Sequence, residues 1–264
     1  DLIVGNHVDN TTSRRMETIR FEGGGSTVTM SFQDTIDKAM TDSLANGVSE
    51  TRRTYFDDTI SYDPATDAGG IEITNEYGGG TDIFETPATF SSARFRYLDT
   101  SPWDPARDLE IDFGGGQTLI FPDQAPSDSA VLDTYRFAGV DISLTDILAR
   151  VVQDPLDDGR SEMHMTPNAD TIDYRTADHG QIEIYMGYSN ATTTDIFQTD
   201  DRLSDVTFGS MGDDLDIIAS DGDRVRFNNF LSRSDADRID EFIFDDGSGG
   251  TATYSAAAIA AMVP

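Results

Sequence analysis

RMETIRF at residues 15–21, VLDTYRF at 131–137 and RIDEFIF at 238–244 are three versions of one phrase. Each has an apolar residue at its second position (Met16, Leu132, Ile239), an acid next (Glu17, Asp133, Asp240) and a β-prone run ending in Phe21, Phe137 or Phe244. Apolar and polar residues that alternate in this way place one row of side chains inward and the other outward, the pattern of a half-buried strand. The heptads begin 116 and 107 residues apart. That spacing is too long for a simple solenoid turn of about 20 to 50 residues and suits a small, domain-sized module.

The likeness extends outward from the heptads. DLEIDFGGGQTLIF (108–121) lies over DLDIIASDGDRVRF (214–227) without a gap, and both read as strand, Gly-containing turn, strand. Upstream, residues 57–84 match 169–197, which sets Asp58 on Asp170, Ile60 on Ile172, Tyr62 on Tyr174 and Asp82 on Asp195. After each heptad comes a serine placed to cap a short helix: Ser31, Ser143 and Ser255. Asp34 and Asp146 complete a capping-box spacing in the first two copies.

The expected organisation is a partial N-terminal module over 1–56, a first full module over 57–167 and a second over 168–264. The partial copy is either a boundary within a longer repetitive array or a divergent N-terminal cap. The expected fold is mostly β, built from tandem elongated β-modules of degenerate β-roll or β-sandwich-like form, each closed by a short helix. Gly clusters at 23–25, 78–80 and 114–116, with many Thr and Asp residues, favour strands joined by tight turns.

The formal net charge is −31, from 49 acids against 18 bases, and Lys38 is the only lysine. Such a surface repels nucleic acid and anionic membrane, so neither is an expected partner. Disorder does not fit, because 37% of residues are hydrophobic and their positions are periodic. There is no cysteine, which removes disulfides and thiolate metal sites. No run approaches the roughly 18 apolar residues of a membrane-spanning helix.

The last module resembles a repeat found beside haemolysin-type calcium-binding (RTX) sequences in bacterial exported proteins. Asp214, Leu215, Ile217, Gly222, Val225, Phe227, Arg238, Ile239, Phe242, Phe244 and Gly247 carry the likeness. The middle module keeps Leu132, Asp133, Tyr135 and Phe137 but has Gly139 where an Asp-Gly turn would stand. The resemblance implies calcium as the ion, bound by nonapeptides in which glycines admit a tight turn and an Asp carboxylate supplies hard oxygen. YGGGTDIFE (77–85) is the best match, with Gly78, Gly80, Asp82 and Phe84 in place. Elsewhere only the Asp-x-apolar end survives, at Asp58, Asp170 and Asp195. These six residues, Gly78, Gly80, Asp58, Asp82, Asp170 and Asp195, are the candidate calcium ligands; the plainer reading of each aspartate is a turn residue that bonds backbone.

No catalytic constellation emerges. His7, His164 and His179 share no metal-ligand spacing and read as surface or loop residues. FGSMG (208–212) only superficially matches a nucleophile elbow, and Lys38 follows no glycine loop. The leading expectation is therefore a non-enzymatic, secreted or cell-surface repeat segment. It would act as a structural, adhesive or filament-forming element that associates with itself or with neighbouring modules of the same protein, with calcium as stabiliser and, as the resemblance implies, type I export. The alternative is the calcium-binding export tail of an extracellular hydrolase or toxin. A third reading gives Trp103, the single tryptophan, a glycan to stack on.

Overall fold

The computed structural model describes residues 18–23, 26–48, 50–53, 57–74, 80–98, 108–122, 124, 131–174, 180–186, 193–233 and 238–264. Chain contacts divide it into two compact units: 1–93 with 108–144, and 94–107 with 145–264. The fold is mostly β.

Unit 1 begins with the antiparallel hairpin β1 (Thr18–Gly23) and β2 (Ser26–Ser31), then α1 (Phe32–Ala45). From there the chain alternates between two sheets. One sheet receives β3 (Glu50–Arg52), β5 (Ile71–Thr74) and β9 (Thr118–Phe121) in parallel; the other receives β4 (Thr59–Ser61), β6 (Ile83–Thr86) and β10 (Thr134–Phe137), also in parallel. Strand β7 (Arg94–Leu98) belongs to unit 2. β8 (Asp108–Asp112) pairs antiparallel with β9, and β11 (Val140–Ile142) antiparallel with β10.

Parallel neighbours joined through a strand of the opposite sheet make a flattened coil, and the coil explains the alternating sequence. Ile60, Phe84 and Tyr135 share one register row of the second sheet, Ile71 and Leu119 one row of the first, and all five are buried. Phe84 packs edge-on against Phe121, Tyr135 and Phe137, with ring centroids 5.4, 6.4 and 5.8 Å away.

Unit 2 contains α2 (Leu144–Asp157, from Thr145 onward) and then strands in a corresponding order. β12 (Glu162–His164), β14 (Gln181–Tyr185) and β18 (Arg224–Phe227) are parallel in one sheet, which continues through β17 (Asp214–Ile218) to β16 (Thr207–Met211) at its edge. β13 (Thr171–Asp173), β15 (Ile196–Arg202) and β19 (Glu241–Asp245) are parallel in the other, with β20 (Thr251–Ser255) antiparallel to β19. The parallel and antiparallel pairings occur in the same sequence as in unit 1. Ile172, Phe197 and Phe242 occupy the row that Ile60, Phe84 and Tyr135 occupy there, and all three are buried.

The heptads at 131 and 238 form β10 and β19, with Tyr135, Phe137, Phe242 and Phe244 inward. Arg15, Met16 and Glu17 lie outside the described residues. Both expected hairpins form, β8–β9 around Gly114–Gly116 and β17–β18 around Gly222. The helices differ from expectation in length and allegiance. α1 and α2 each span 14 residues, and their apolar stripes face the coil that follows: α1 packs on β3 and β4, while Val152 and Leu156 join the core of unit 2. Fourteen residues give the four turns needed to cover the open end of a coil two sheets wide. Only α3 (Ala256–Ala260) is short, and it packs on the preceding β19 and β20. Ser31 caps α1 through a reciprocal box, Asp34 N donating to Ser31 Oγ at 3.0 Å and Ser31 N to Asp34 Oδ2 at 3.1 Å.

The two-residue turn from β10 to β11 puts Ala138 at φ 48° and Gly139 at φ 78°. A hairpin turn of this hand suits Asn-Gly, and alanine there is strained. Ala138→Asn is expected to raise unfolding stability by about 0.5–1 kcal/mol, read as a higher urea midpoint at unchanged slope. Phe242→Ala removes a ring packed against Phe197, Phe227 and Phe230 and is expected to cost about 3–5 kcal/mol in the same measurement.

Candidate functional site: a buried aspartate ladder

The Asp-x-apolar pattern places an aspartate two residues before the first inward side chain of each parallel strand of the second sheet, just outside the strand. Parallel register then stacks these aspartates on successive coils: Asp58, Asp82 and Asp133 in unit 1, Asp170, Asp195 and Asp240 in unit 2. Neighbouring strands lie about 4.8 Å apart, within reach of a short carboxylate. Asp58 N donates to Asp82 Oδ1 at 3.1 Å and Asp82 N to Asp133 Oδ2 at 2.8 Å. In unit 2, Asp170 N donates to Asp195 Oδ1 at 2.9 Å and Asp195 N to Asp240 Oδ2 at 2.8 Å. The carbonyls run the other way, Asp58 O accepting from Ile83 N and Asp170 O from Ile196 N, both at 2.8 Å. Each rung thereby satisfies a backbone amide that the end of a strand would leave without a ladder partner.

The candidate ligands fall into this arrangement as follows. Asp58 and Asp82 are brought together in unit 1, and Asp170 and Asp195 in unit 2; all four are buried. Gly80 is exposed and takes φ 85°, serving the turn that leads to Asp82. Gly78 lies outside the described residues, as do Trp103, His7 and His179. Asp133 and Asp240 complete the ladder. Their signal was present in the acid of each heptad, which stands two places before Tyr135 and Phe242 just as Asp82 stands before Phe84.

Calcium requires six to eight oxygens at about 2.3–2.6 Å. Here one carboxylate oxygen each of Asp82, Asp133, Asp195 and Asp240 faces a backbone N–H, whose positive end competes for a lone pair an ion would use. Asp82 Oδ2 also receives the buried Arg53 guanidinium at 3.0 Å. Among the described residues, no cluster of three or more His, Cys, Asp or Glu side chains is placed to hold a metal. The described geometry has Asp82, Asp133, Asp195 and Asp240 capping backbone amides.

Burial makes the ladder electrostatically distinctive. It pushes the Asp82 carboxyl up to about 6 despite the nearby Arg53, and neighbouring Asp58 and Asp133 add to the rise. At Asp170 burial prevails over hydrogen bonds from Thr166 N and Thr166 Oγ1, both 2.6 Å, and pushes the carboxyl up to about 7. Met165 stands 112 residues after Arg53, as Asp170 stands 112 after Asp58, so a thioether fills the place of the guanidinium in unit 2. A small hollow of about 150 Å³ between α2 and residues 166–171 reaches Asp170.

An open cleft of about 500 Å³ in unit 1 runs over the outward residues Ser61, Glu85 and Arg136, where Ser61 Oγ donates to Glu85 Oε1 at 2.6 Å. The corresponding residues of unit 2 are Asp173, Gln198 and Ile243, so its chemistry is confined to one unit. His164, expected at the surface, is instead buried on β12 with its ring stacked on Tyr185, centroids 4.8 Å apart. Alternation sends Met163 and Met165 into the core and His164 to the opposite face of β12, where the Tyr185 ring stacks on it and strand β7 lies alongside. Ser210 of FGSMG lies on the edge strand β16, away from any strand-to-helix elbow.

No protein-family model matches the chain, and no curated protein matches it. Among the described residues, no helix is long and apolar enough to cross a membrane.

The raised carboxyls set a pH dependence. The folded protein holds the Asp170 proton more tightly than the unfolded chain, where aspartate titrates near 3.8. The stabilising contribution is therefore complete below about pH 4 and is lost as pH rises toward 7. Asp170→Asn keeps an oxygen for Thr166 N and cannot ionise. The stability difference between the native protein and Asp170→Asn is expected to move by several kcal/mol in favour of the variant between pH 4 and pH 8, followed by urea unfolding across that range.

Proposed function

We propose that this chain is a non-enzymatic segment of an extracellular or cell-surface repeat protein, serving as a structural, adhesive or self-assembling element. The observation that carries the reading is the pair of aspartate ladders, two carboxylate-to-amide rungs in each unit: Asp82, Asp133, Asp195 and Asp240 hold coils of backbone in register. In both units this occurs on the same strand plan, which is how a structural module is reused. The absence of cysteine and a net charge of −31 suit a soluble, strongly hydrated surface. The likeness of the last module to RTX-associated repeats supports an exported protein and type I secretion.

In this reading calcium is dispensable for folding. It acts, where present, on the exposed acids, screening their mutual repulsion so that copies can approach. Light scattering coupled to size-exclusion chromatography, with electron microscopy, tests the assembly. The chain is expected to unfold within about 2 °C of the same midpoint in EGTA and in millimolar calcium, and to form larger species as calcium or salt increases. A rigid monomer under every condition would contradict the reading.

A further inference from the structure

We propose that the edge strand β16 is a docking seat for helix α1 of a second copy of this chain, giving a head-to-tail contact. The inference rests on the self-association put forward above and names the surfaces that perform it. Its template lies inside unit 2. There β7 is seated on α2: Phe95 N donates to Asp154 Oδ2 at 2.8 Å, Arg150 lies over the Phe95 ring with its guanidinium carbon 5.5 Å from the centroid, and Arg94 Nε meets Asp158 Oδ1 at 3.1 Å. Arg150 and Asp154, one helical turn apart, are themselves bonded. In this seat Phe95 is buried and Asp154 is only 2% exposed.

Both halves of that contact recur without each other. Strand β16 precedes β17 as β7 precedes β8, and each follows a single 3-10 turn, Leu203–Asp205 and Phe90–Ser92. Phe208 stands 113 residues after Phe95, the spacing of Asp195 from Asp82. Phe208 is only half-buried, however, and Met211 at the end of the strand is 61% exposed. On the helix side, Lys38 and Asp42 stand 112 residues before Arg150 and Asp154. They form the same one-turn ion pair, at 2.8 Å, but are 59% and 55% exposed. The base is the only lysine in the chain. A carboxylate supplied by Asp42 to the backbone of β16, with the Lys38 ammonium over Phe208, would repeat the template.

Ala39 replaces Val151 on the same helical face, so the contact between copies is smaller in apolar area and reversible. Net charge opposes it at low salt, and screening over about 8 Å at physiological ionic strength favours it. Because each copy offers one helix and one strand, the contact is heterologous and can be repeated from copy to copy.

The absence of cysteine makes the test clean. Asp42→Cys and Thr207→Cys are introduced in separate molecules, mixed and mildly oxidised, alongside a mixture of Thr207→Cys with Asp221→Cys, a turn residue elsewhere on unit 2. The mixed disulfide is expected for Asp42 with Thr207 and not for the control. Asp42→Lys and Met211→Asp, both at exposed positions, are expected to raise the concentration for half-association by about tenfold or more with unchanged circular dichroism. Thr207→Cys homodimers would indicate edge-to-edge pairing of β16 and overturn the proposal. Assembly that both charge variants leave unchanged would overturn the seat while sparing self-association; a chain monomeric at all salt concentrations overturns both.

Discussion

A carboxylate that accepts the amide of the preceding coil is the interaction on which this structure turns. Parallel strands joined through an opposite sheet have a recurring difficulty, since at each corner the backbone leaves its ladder while still close to the core. A buried amide without an acceptor costs about 1–3 kcal/mol. Asp82, Asp133, Asp195 and Asp240 each supply that acceptor from the coil above, and the inward residue two places on, Phe84, Tyr135, Phe197 or Phe242, locks the coil down. Corner and core are thus specified by three consecutive residues.

The same arrangement carries a cost that differs between the units. Stacked carboxylates repel one another and lose hydration. Unit 1 offsets this with Arg53, wholly buried against Asp82; unit 2 has Met165 in the corresponding place. Asp170, at the bottom of the second ladder, holds its proton near neutrality.

How much of this was legible in the sequence follows from its physics. Alternation in VLDTYRF and RIDEFIF revealed strands, and gap-free correspondence revealed the hairpins, because both signals are local. The Asp-x-apolar pattern marked aspartates that stack on successive coils, but which group accepts from which amide depends on what stands one coil away. Parallel partners are far apart along the chain, Ile60 beside Phe84 and Phe84 beside Tyr135, and no local pattern encodes the pairing. For the same reason Asp133 and Asp240 were visible as heptad acids yet not as rungs, and Arg53 carried no signal at all. His164 is buried although alternation points it away from the core, because Tyr185 stacks on it and β7 lies beside β12, neighbours that no local pattern reveals. The seat of β7 on α2 was likewise hidden, since Phe95 and Asp154 meet across 59 residues.

Hydrogen exchange at the backbone amides of Asp58, Asp82, Asp170 and Asp195, followed by NMR in EGTA, tests most directly whether the ladder holds without an ion. Carboxylate-capped amides are expected to exchange only through global unfolding, as slowly as those of the central strands β6 and β15. Exchange at the rate of exposed loop amides, slowing only when calcium is added, would contradict it.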